Sequence, residues 1–285
     1  RIYQTFMNTC DSVGNYCDGP NSDLQNYIDT QAKYQENMYK NNKNNPIWMY
    51  ANLLTQQLNG LYAGYNVTAA KNGAKPFDNI FPILFLNIIG DLFDIPYSYD
   101  ESYRDLHDYR NYQFPRDLEK FEGILAQIGH CSALVKITPE IDNIFVGHSS
   151  WFTYENMNRI FKHYIFNLNM KTATKFMSFS SYPGYLESLD DYYLMDSGLV
   201  MLQTTNSVPN VDLHQYITPD SLYAWQRVRI ANAIANNGYE WYTILNTSNS
   251  GTYNNQYMVV DMNLFELNQP LKDNLLWVVE QIPGT

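Results

Sequence analysis

The sequence predicts an α+β fold in which a mainly helical N-terminal segment precedes a layered domain of strands and helices. The chain has 285 residues, 45% of them hydrophobic and 15% aromatic, so it can bury a sizeable core. Apolar residues recur at helical spacing in the first part of the chain. From residue 131 onwards, short apolar runs alternate with helical patterns, which is typical of a layered α+β domain.

Residues 1–93 are predicted to be mainly helical. Asp23–Lys40 is polar and predicts an exposed helix. Pro46 stands where a first-turn proline belongs, and Ile47–Leu54 continue with a helical period. Phe77–Phe93 is the most apolar stretch, but polar residues, proline and glycine interrupt it, so we expect a buried helix and no transmembrane segment.

Residues 94–130 change in character. They carry clustered charges together with Pro96 and Pro115, and they have no apolar period, which predicts a solvated acidic linker. Leu118–Ile128 is predicted as a short helix that ends at Gly129.

Residues 131–285 are predicted to form the layered domain. Cys131–Thr138 and Ile144–Gly147 read as a β-hairpin that begins at the cysteine. Helices are predicted at Thr153–Phe166 and at Pro219–Asn236, the second ending at Asn237-Gly238. The further predicted strands are Ala173–Ser180, Tyr192–Thr204, Met258–Asp261 and Leu275–Val279.

The charge balance argues against two classes of partner. The net charge is −11, whereas nucleic acids and anionic membrane surfaces both attract a basic face, so we expect no nucleic-acid partner. A lightly charged composition rich in Tyr and Asn favours a secreted or lysosomal protein. The glycosylation acceptor sequences at Asn66 and Asn246 agree with a secretory route.

The three cysteines divide into a pair and a single residue. Cys10 and Cys17 stand in a stretch rich in Gly, Asn and Asp, with a spacing that closes a small disulfide in an oxidising compartment. The alternative is two unpaired thiols in a reducing compartment. A disulfide would leave Cys131 over, and a lone thiol in an oxidising compartment is either buried and inert or free for a reason.

Three interpretations of Gly129–Ala133 stay open at this point. An α/β-hydrolase nucleophile elbow requires glycine where Ala133 stands, and its strand-then-helix order is inverted here. A structural cysteine is the second, because free cysteine is among the most buried residue types. The third is an N-terminal nucleophile, in which the chain cuts itself before Cys131. The new α-amine, with a pKa near ~8, then accepts the proton of the adjacent thiol.

Several motifs between residue 130 and the end of the chain occur in a characteristic order. They are His130–Lys136, Val146–Trp151, Ser180–Gly184, Asp190–Tyr193, Ser197–Leu199, Thr204–Asn206, Arg229–Asn232, Gly238–Trp241 and Asn249–Gln256. Through them the chain resembles the phospholipase B-like family of lumenal hydrolases, almost continuously from Cys131 onwards. Residues 1–130 match the family only loosely.

The resemblance implies an N-terminal-nucleophile hydrolase fold, an αββα sandwich, in a glycosylated lysosomal or secreted protein. It implies autoproteolysis between His130 and Cys131, and then hydrolysis of an acyl bond through a thioester at Cys131. The family name implies phospholipid deacylation, although an amide substrate suits the chemistry equally. Family members are longer than 285 residues, so we expect the C-terminal part of the fold to be missing from this chain and to act as its complementary partner.

Other residues receive roles around that nucleophile. His148, at the end of the hairpin's return strand, can orient substrate or shuttle a proton; the alternative is a hydrogen-bonded core histidine. Asn254 and Asn255 can donate an amide hydrogen to an oxyanion; the alternative is ordinary turn chemistry. Thr204 and Thr205, which end a predicted strand, are weaker catalytic and substrate-binding candidates.

Trp151 is expected to wall the substrate pocket, and His163 to lie on a helix surface. No set of Cys, His and acidic residues has metal-ligand spacing, and no nucleotide-binding motif occurs, so we expect neither a metal nor a cofactor. The main alternative to an enzyme is a lumenal protein that keeps the fold without turnover and serves binding or structure.

Overall fold

A computed structural model describes residues 1–13, 16–111, 131–206, 208 and 210–284. Its N-terminal part is helical, as predicted. The helices are α1 (Ile2–Ser12), α2 (Ser22–Asn41), α3 (Pro46–Lys71), α4 (Phe81–Ile88) and α5 (Glu101–His107).

Local sequence explains where α2 and α3 begin. The Asn21 side chain accepts a hydrogen bond from the Leu24 N–H and caps α2, and Asn45 caps α3 in the same way. Pro46 is the first residue of α3, where its missing N–H costs nothing, which confirms the first-turn prediction. α2 is exposed on one side only, because Leu24, Tyr27, Ile28 and Gln31 are buried.

The prediction of a solvated linker is wrong for Ile95–Ser98, whereas α5 has no buried residue. Short 3-10 turns at Asp91–Phe93 and Ile95–Ser98 lead into α5, and both Ile95 and Tyr97 are buried in the core that includes α4. The exposed charges that suggested a linker, Glu101 and Asp105 among them, come after this packed stretch and lie in α5. The predicted helix Leu118–Ile128 lies outside the described residues, as does His130.

Eight strands follow in the described part of the chain. They are β1 (Ser132–Ile137), β2 (Ile144–Ser149), β3 (Ile160–Ile165), β4 (Phe176–Ser181), β5 (Tyr192–Met195), β6 (Leu199–Thr205), β7 (Asn255–Asp261) and β8 (Leu276–Glu280). β1 and β2 form the predicted antiparallel hairpin, with Ala133 opposite His148. β3 to β8 form a six-stranded sheet in chain order, with antiparallel pairing throughout.

The predicted helix Thr153–Phe166 is wrong. Only Tyr154–Asn156 is helical, as one 3-10 turn, and Ile160–Ile165 is the strand β3, whose residues alternate between half-buried and exposed. Tyr, Phe and Ile at these positions satisfy both a helical and an alternating pattern, and backbone pairing with β4 decides between them. His163 is therefore exposed on a strand and not on a helix.

Two other boundaries differ from prediction. Tyr192–Thr204 is two strands, because the chain reverses at Gly198, which has a φ of +87° that favours glycine. The helix predicted at Pro219–Asn236 is α6 (Ala224–Ile234), and Asn237 does not end it. Asn237 instead caps a further helix, α7 (Gly238–Leu245), which the sequence reasoning missed.

The two faces of the six-stranded sheet differ. Side chains of α6 and α7, among them Val228 and Trp241, pack on one face against Phe179, Met201 and Tyr257. On the alternate strand positions, which point to the other face, several apolar side chains are exposed. These are Phe161, Ile165, Phe176, Leu194, Leu276 and Val278.

Candidate active site

Cys131 directly precedes β1, and the hairpin register places His148 of β2 beside the start of that strand. Asp191 comes to the same point from the turn before β5. The Cys131 sulfur, a ring nitrogen of His148 and a carboxylate oxygen of Asp191 all lie within 4.8 Å of one another. This set, called the Cys131 cluster below, brings together a thiol, an imidazole and a carboxyl. The three atoms are also close enough to share a cation, which the spacing in the sequence did not suggest.

One contact fixes the tautomer of His148. Its Nε2 lies 2.7 Å from the carbonyl oxygen of Gln203, and because a carbonyl only accepts, Nε2 carries the hydrogen. Burial lowers the pKa of His148 below its usual value. The neutral imidazole therefore keeps a lone pair on Nδ1, which is the state that accepts a proton.

Asp191 is held in an unfavourable setting. Its backbone φ is +56°, a conformation that non-glycine residues adopt at a cost and that recurs at functional sites. Its carboxylate accepts hydrogen bonds from the Gln203 side chain at 2.5 Å and from the Tyr253 hydroxyl at 3.1 Å. Burial raises the pKa of Asp191 well above its usual value, and the Tyr253 hydrogen bond acts against that rise.

The Cys131 thiol is protonated at neutral pH. Burial, together with the charges of Asp191 and Asp190, raises its pKa to about 11. Hydrogen bonds from the Trp151 backbone and the Ser150 side chain lower the pKa but do not outweigh burial. Because the thiolate is the reactive form, this cysteine requires a neighbouring proton acceptor or a cation before it can act as a nucleophile.

Asp190 anchors the turn. Its carboxylate accepts from Arg159 Nε at 2.8 Å, from the Tyr182 hydroxyl at 2.5 Å and from the Ser180 hydroxyl. Within the described ranges, Arg159 is the basic side chain that bonds this acidic pair, and it bonds Asp190 rather than Asp191. Asp191 is therefore left without a cationic partner among the described residues.

The loop Thr252–Asn254 ties the cluster to the helical segment. Thr252 donates to Asp91, Tyr253 donates to Asp191, and the Asn254 amide donates to Asp94 at 3.2 Å. Three consecutive side chains therefore bond three different buried or half-buried carboxylates.

Gly90 leaves space for the Tyr253 ring, whose hydroxyl bonds Asp191. A Cβ at Gly90 would lie 2.5 Å from the Tyr253 ring, so only glycine allows the ring to reach its place beside Asp191. The helical segment thus shapes the site without supplying a residue to the Cys131 cluster.

The remaining predicted residues lie in several settings. The Asn254 amide also donates to the Gly251 carbonyl, and the Asn255 amide donates to the Tyr253 carbonyl, so both side chains hold their own loop. Thr204 and Thr205 end β6, opposite Gln256 and Asn255 of β7. Trp151 follows β2 with 62% of its surface exposed.

Sequence reasoning missed three residues of the site: Asp191, Gln203 and Tyr253. The paired acids Asp190-Asp191 stood inside a recognised motif, and that local doubling was the available signal. Gln203 stands beside Asp191 where β5 pairs with β6, and its N–H also bonds the Asp191 carbonyl. Tyr253 reaches Asp191 from the loop before β7, a contact that local sequence does not reveal.

The predicted disulfide between Cys10 and Cys17 is present, with a Cα–Cα distance of 5.1 Å. Cys10 lies in α1 rather than in a loop. The two glycosylation acceptors differ: Asn246 is exposed, whereas Asn66 is half-buried in α3 and its side chain bonds the Phe77 backbone in both directions. Asn246 is therefore the more accessible acceptor.

A family model described as Phospholipase B matches residues 1–285 of the chain. The chain belongs to the phospholipase B family. It is 46% identical over 262 residues to Phospholipase B-like 1 of Bos taurus, which covers 91% of this chain and 45% of that protein. It is 44% identical over 262 residues to Phospholipase B of Crotalus adamanteus, covering 91% and 46% of the two chains.

Phospholipase B-like protein B of Dictyostelium discoideum is 38% identical over 267 residues, covering 93% of this chain and 45% of that protein. The chain spans about half the length of the curated relatives it matches. Family membership, which the motifs predicted, is confirmed, and residues 1–130 belong to the match as well. Within the described residues, no helix has both the length and the apolar character needed to cross a membrane.

Proposed function

We propose that this chain carries the nucleophile of an N-terminal-nucleophile cysteine hydrolase, which cleaves an acyl ester or amide after the chain is cut between His130 and Cys131. The observation that carries the proposal is the Cys131 cluster, in which thiol, imidazole and carboxyl lie within 4.8 Å of one another at the start of the first strand. A structural cysteine requires neither a neutral histidine nor a buried acid beside it.

The pKa values of the cluster explain why a cut before Cys131 is useful. In the uncut chain, burial raises the pKa of both the thiol and Asp191, so negative charge is costly there. Cleavage creates an α-amine on Cys131 itself. Its protonated form adjoins both groups, lowers both pKa values and stabilises the thiolate and the Asp191 carboxylate together.

The maturation step uses only Cys131, His148, the peptide bond after His130 and water. The thiol of Cys131 loses its proton to His148 Nδ1, and the sulfur attacks the carbonyl carbon of His130. The peptide C–N bond breaks as the nitrogen takes up a proton, which leaves a thioester and a free α-amine. Water then hydrolyses the thioester and regenerates the thiol.

Turnover repeats this chemistry on an external acyl group. The α-amine accepts the thiol proton, and the sulfur attacks the substrate carbonyl to give a tetrahedral intermediate. The intermediate collapses to a thioester as the leaving group takes up the proton, and water releases the acid. In this scheme His148 orients the groups, and an amide donor of the 254–255 loop meets the oxyanion after exchanging one of its present bonds.

The names of the relatives support a substrate class, and the exposed face of the six-stranded sheet supports a partner. Relatives carry the name phospholipase B, which favours a lipid acyl ester, and Trp151 together with Thr205 are proposed to line the substrate path. The exposed apolar face of the six-stranded sheet fits cover by a second sheet from the complementary C-terminal portion, which completes an αββα sandwich. The disulfide and the exposed Asn246 support an oxidising lysosomal or secreted setting.

The test separates maturation from turnover. Wild-type protein, Cys131→Ala and the hairpin control Ser149→Ala are purified and assayed on phosphatidylcholine vesicles and on an N-acyl amide. We expect activity in wild type and in Ser149→Ala and none in Cys131→Ala. Alkylation of the matured wild type with iodoacetamide, with Cys131 verified as the modified residue by peptide mass mapping, should remove the activity; Cys10 and Cys17 are bonded to each other and do not react.

The alternative, a family member without turnover, makes the opposite prediction. Matured wild type that hydrolyses neither substrate class, or that keeps its full activity after Cys131 is alkylated, would contradict the proposal.

A further inference from the structure

A cavity of about 570 Å³ lies among the helices of the N-terminal segment, where α2, α3 and the starts of α4 and α6 meet. Its volume falls within the range of ~300–1,000 Å³ typical of sites for small organic ligands. None of its lining residues belongs to the Cys131 cluster. Its deeper wall consists of the buried side chains of Ile28, Ala51, Leu58, Phe81, Tyr223 and Trp225.

Two buried donors in this wall have no hydrogen-bond partner among the described residues: the indole Nε1–H of Trp225 and the hydroxyl of Tyr223. Trp225 is the more deeply buried of the two, with 2% of its surface exposed. Its neighbours Gln35 and Gln226 bond each other in both directions at 3.0 Å, so their amides do not take up this N–H. A buried N–H without an acceptor costs free energy, and a ligand with an acceptor oxygen removes that cost.

The charge of the cavity restricts the ligand. Asp29 and Glu36 of α2 stand at its exposed edge, and the described residues that line it include no Lys, Arg or His. Glu36 is paired with Lys40 at 2.6 Å, whereas Asp29 accepts from the neutral amide of Gln25. The acidic edge repels an anionic ligand, because no basic residue in the lining compensates for it. An uncharged ligand is not repelled.

We propose that this cavity binds an uncharged amphiphile, a molecule with one alkyl or acyl chain and an ester, amide or ether oxygen. The chain packs against Ile28, Leu58 and Phe81, and the oxygen accepts the Trp225 N–H. This inference is independent of the proposed hydrolase, because it uses none of the catalytic residues and requires no turnover.

The test uses two probes with the same alkyl chain, 1-monododecanoylglycerol and dodecanoate, each below its micelle concentration, with binding followed by calorimetry. Wild-type protein should bind the neutral probe at one saturable site and the anion at least about tenfold more weakly, since the acidic edge repels it. Trp225→Phe keeps an aromatic side chain but removes the donor, so its affinity for the neutral probe should fall about three- to tenfold.

A filling variant and a matched control complete the design. Thr55→Phe places a ring in the cavity and should abolish binding, whereas Thr243→Phe, an exposed threonine of α7 with the same bond to the carbonyl four residues before it, should not. Thermal unfolding verifies that each variant is folded, and Trp225→Phe alone carries the test if Thr55→Phe does not fold. No saturable binding by wild type, equal affinity for the two probes, or wild-type affinity in Trp225→Phe would overturn the proposal.

Discussion

The turn after α4 and the turn before β5 each place two aspartates close together, Asp91 with Asp94 and Asp190 with Asp191. Both turns hold the same loop, Thr252–Asn254, from opposite sides. Burial raises the pKa of Asp91 to about 6 and that of Asp94 to about 7, and it also raises the pKa of Asp191.

The difference between the turns lies in their neighbours. Asp191 adjoins a thiol and an imidazole, whereas Asp91 adjoins the Thr252 hydroxyl and the Ala224 backbone N–H. A raised pKa therefore marks burial in both turns and does not by itself identify a catalytic acid. The thiol and imidazole beside Asp191 are what distinguish the second turn.

The sharpest test of this comparison is the same substitution in both turns. Asp191→Asn removes the charge beside Cys131, and we expect kcat/KM to fall by about 100-fold or more. Asp91→Asn keeps the acceptor oxygen for Thr252, and its activity should stay within a few-fold of wild type. The pH–rate profile should also change in Asp191→Asn only. Equal losses of kcat/KM in the two variants would mean that both turns have only a structural role.

Asp91 should matter for the stability of the fold rather than for activity. Asp91→Ala leaves the buried Ala224 N–H without an acceptor and the Thr252 hydroxyl with Ser250 alone, which should lower the free energy of unfolding by about 1–3 kcal/mol. Asp91→Asn should lower it much less. Denaturant unfolding measures both variants, and an unchanged free energy in Asp91→Ala would show that this turn does not hold the loop.

Tyr253 connects the two turns, so its hydroxyl should have a smaller and more specific effect. Its hydrogen bond lowers the pKa of Asp191, and Tyr253→Phe should raise that pKa. The acidic limb of the pH–rate profile should then move to higher pH, with kcat falling about three- to tenfold. Gly90→Ala, which displaces the same ring, should move the limb in the same direction. A pH–rate profile that is unchanged in both variants would show that Tyr253 does not influence the reaction.

The smallest expected effect is on the pH dependence of thermal stability. Asp91 and Asp94 have folded-state pKa values above the usual one, so their stabilising contribution is complete below pH ~4 and is lost as the pH rises through about 6 to 7. His214 acts in the opposite direction. Burial lowers its pKa to about 4, so its contribution is complete above pH ~6.5 and is lost on acidification.

The two carboxyls together outweigh the one imidazole, so Tm should be a few degrees higher at pH 5 than at pH 7.5. Asp91→Asn should reduce that difference. A Tm that rises from pH 5 to pH 7.5 would contradict the assignment of buried carboxyls to this turn.

Much of the fold could be predicted from the sequence, because most of its signals are local. Pro46 and its period predicted α3, and the turn between Cys131 and Gly147 predicted the hairpin. β3 was misassigned because its apolar residues satisfy two periods, and only pairing with β4 separates them. The site divides in the same way: Cys131 and His148 were predicted from one hairpin, whereas Asp191 and Gln203 meet on a second hairpin and Tyr253 joins them from 62 residues further along the chain.

In the proposed mechanism, a cut before Cys131 makes this residue both the nucleophile and the bearer of its own base. N-terminal sequencing and intact-mass measurement of active wild type, with Cys131→Ala and Cys131→Ser alongside, detect that cut. We expect a fragment that begins at Cys131 with a free amine in wild type, an uncut chain in Cys131→Ala, and at most slow cutting in Cys131→Ser. Wild-type protein that hydrolyses substrate while the bond between residues 130 and 131 stays intact would contradict it.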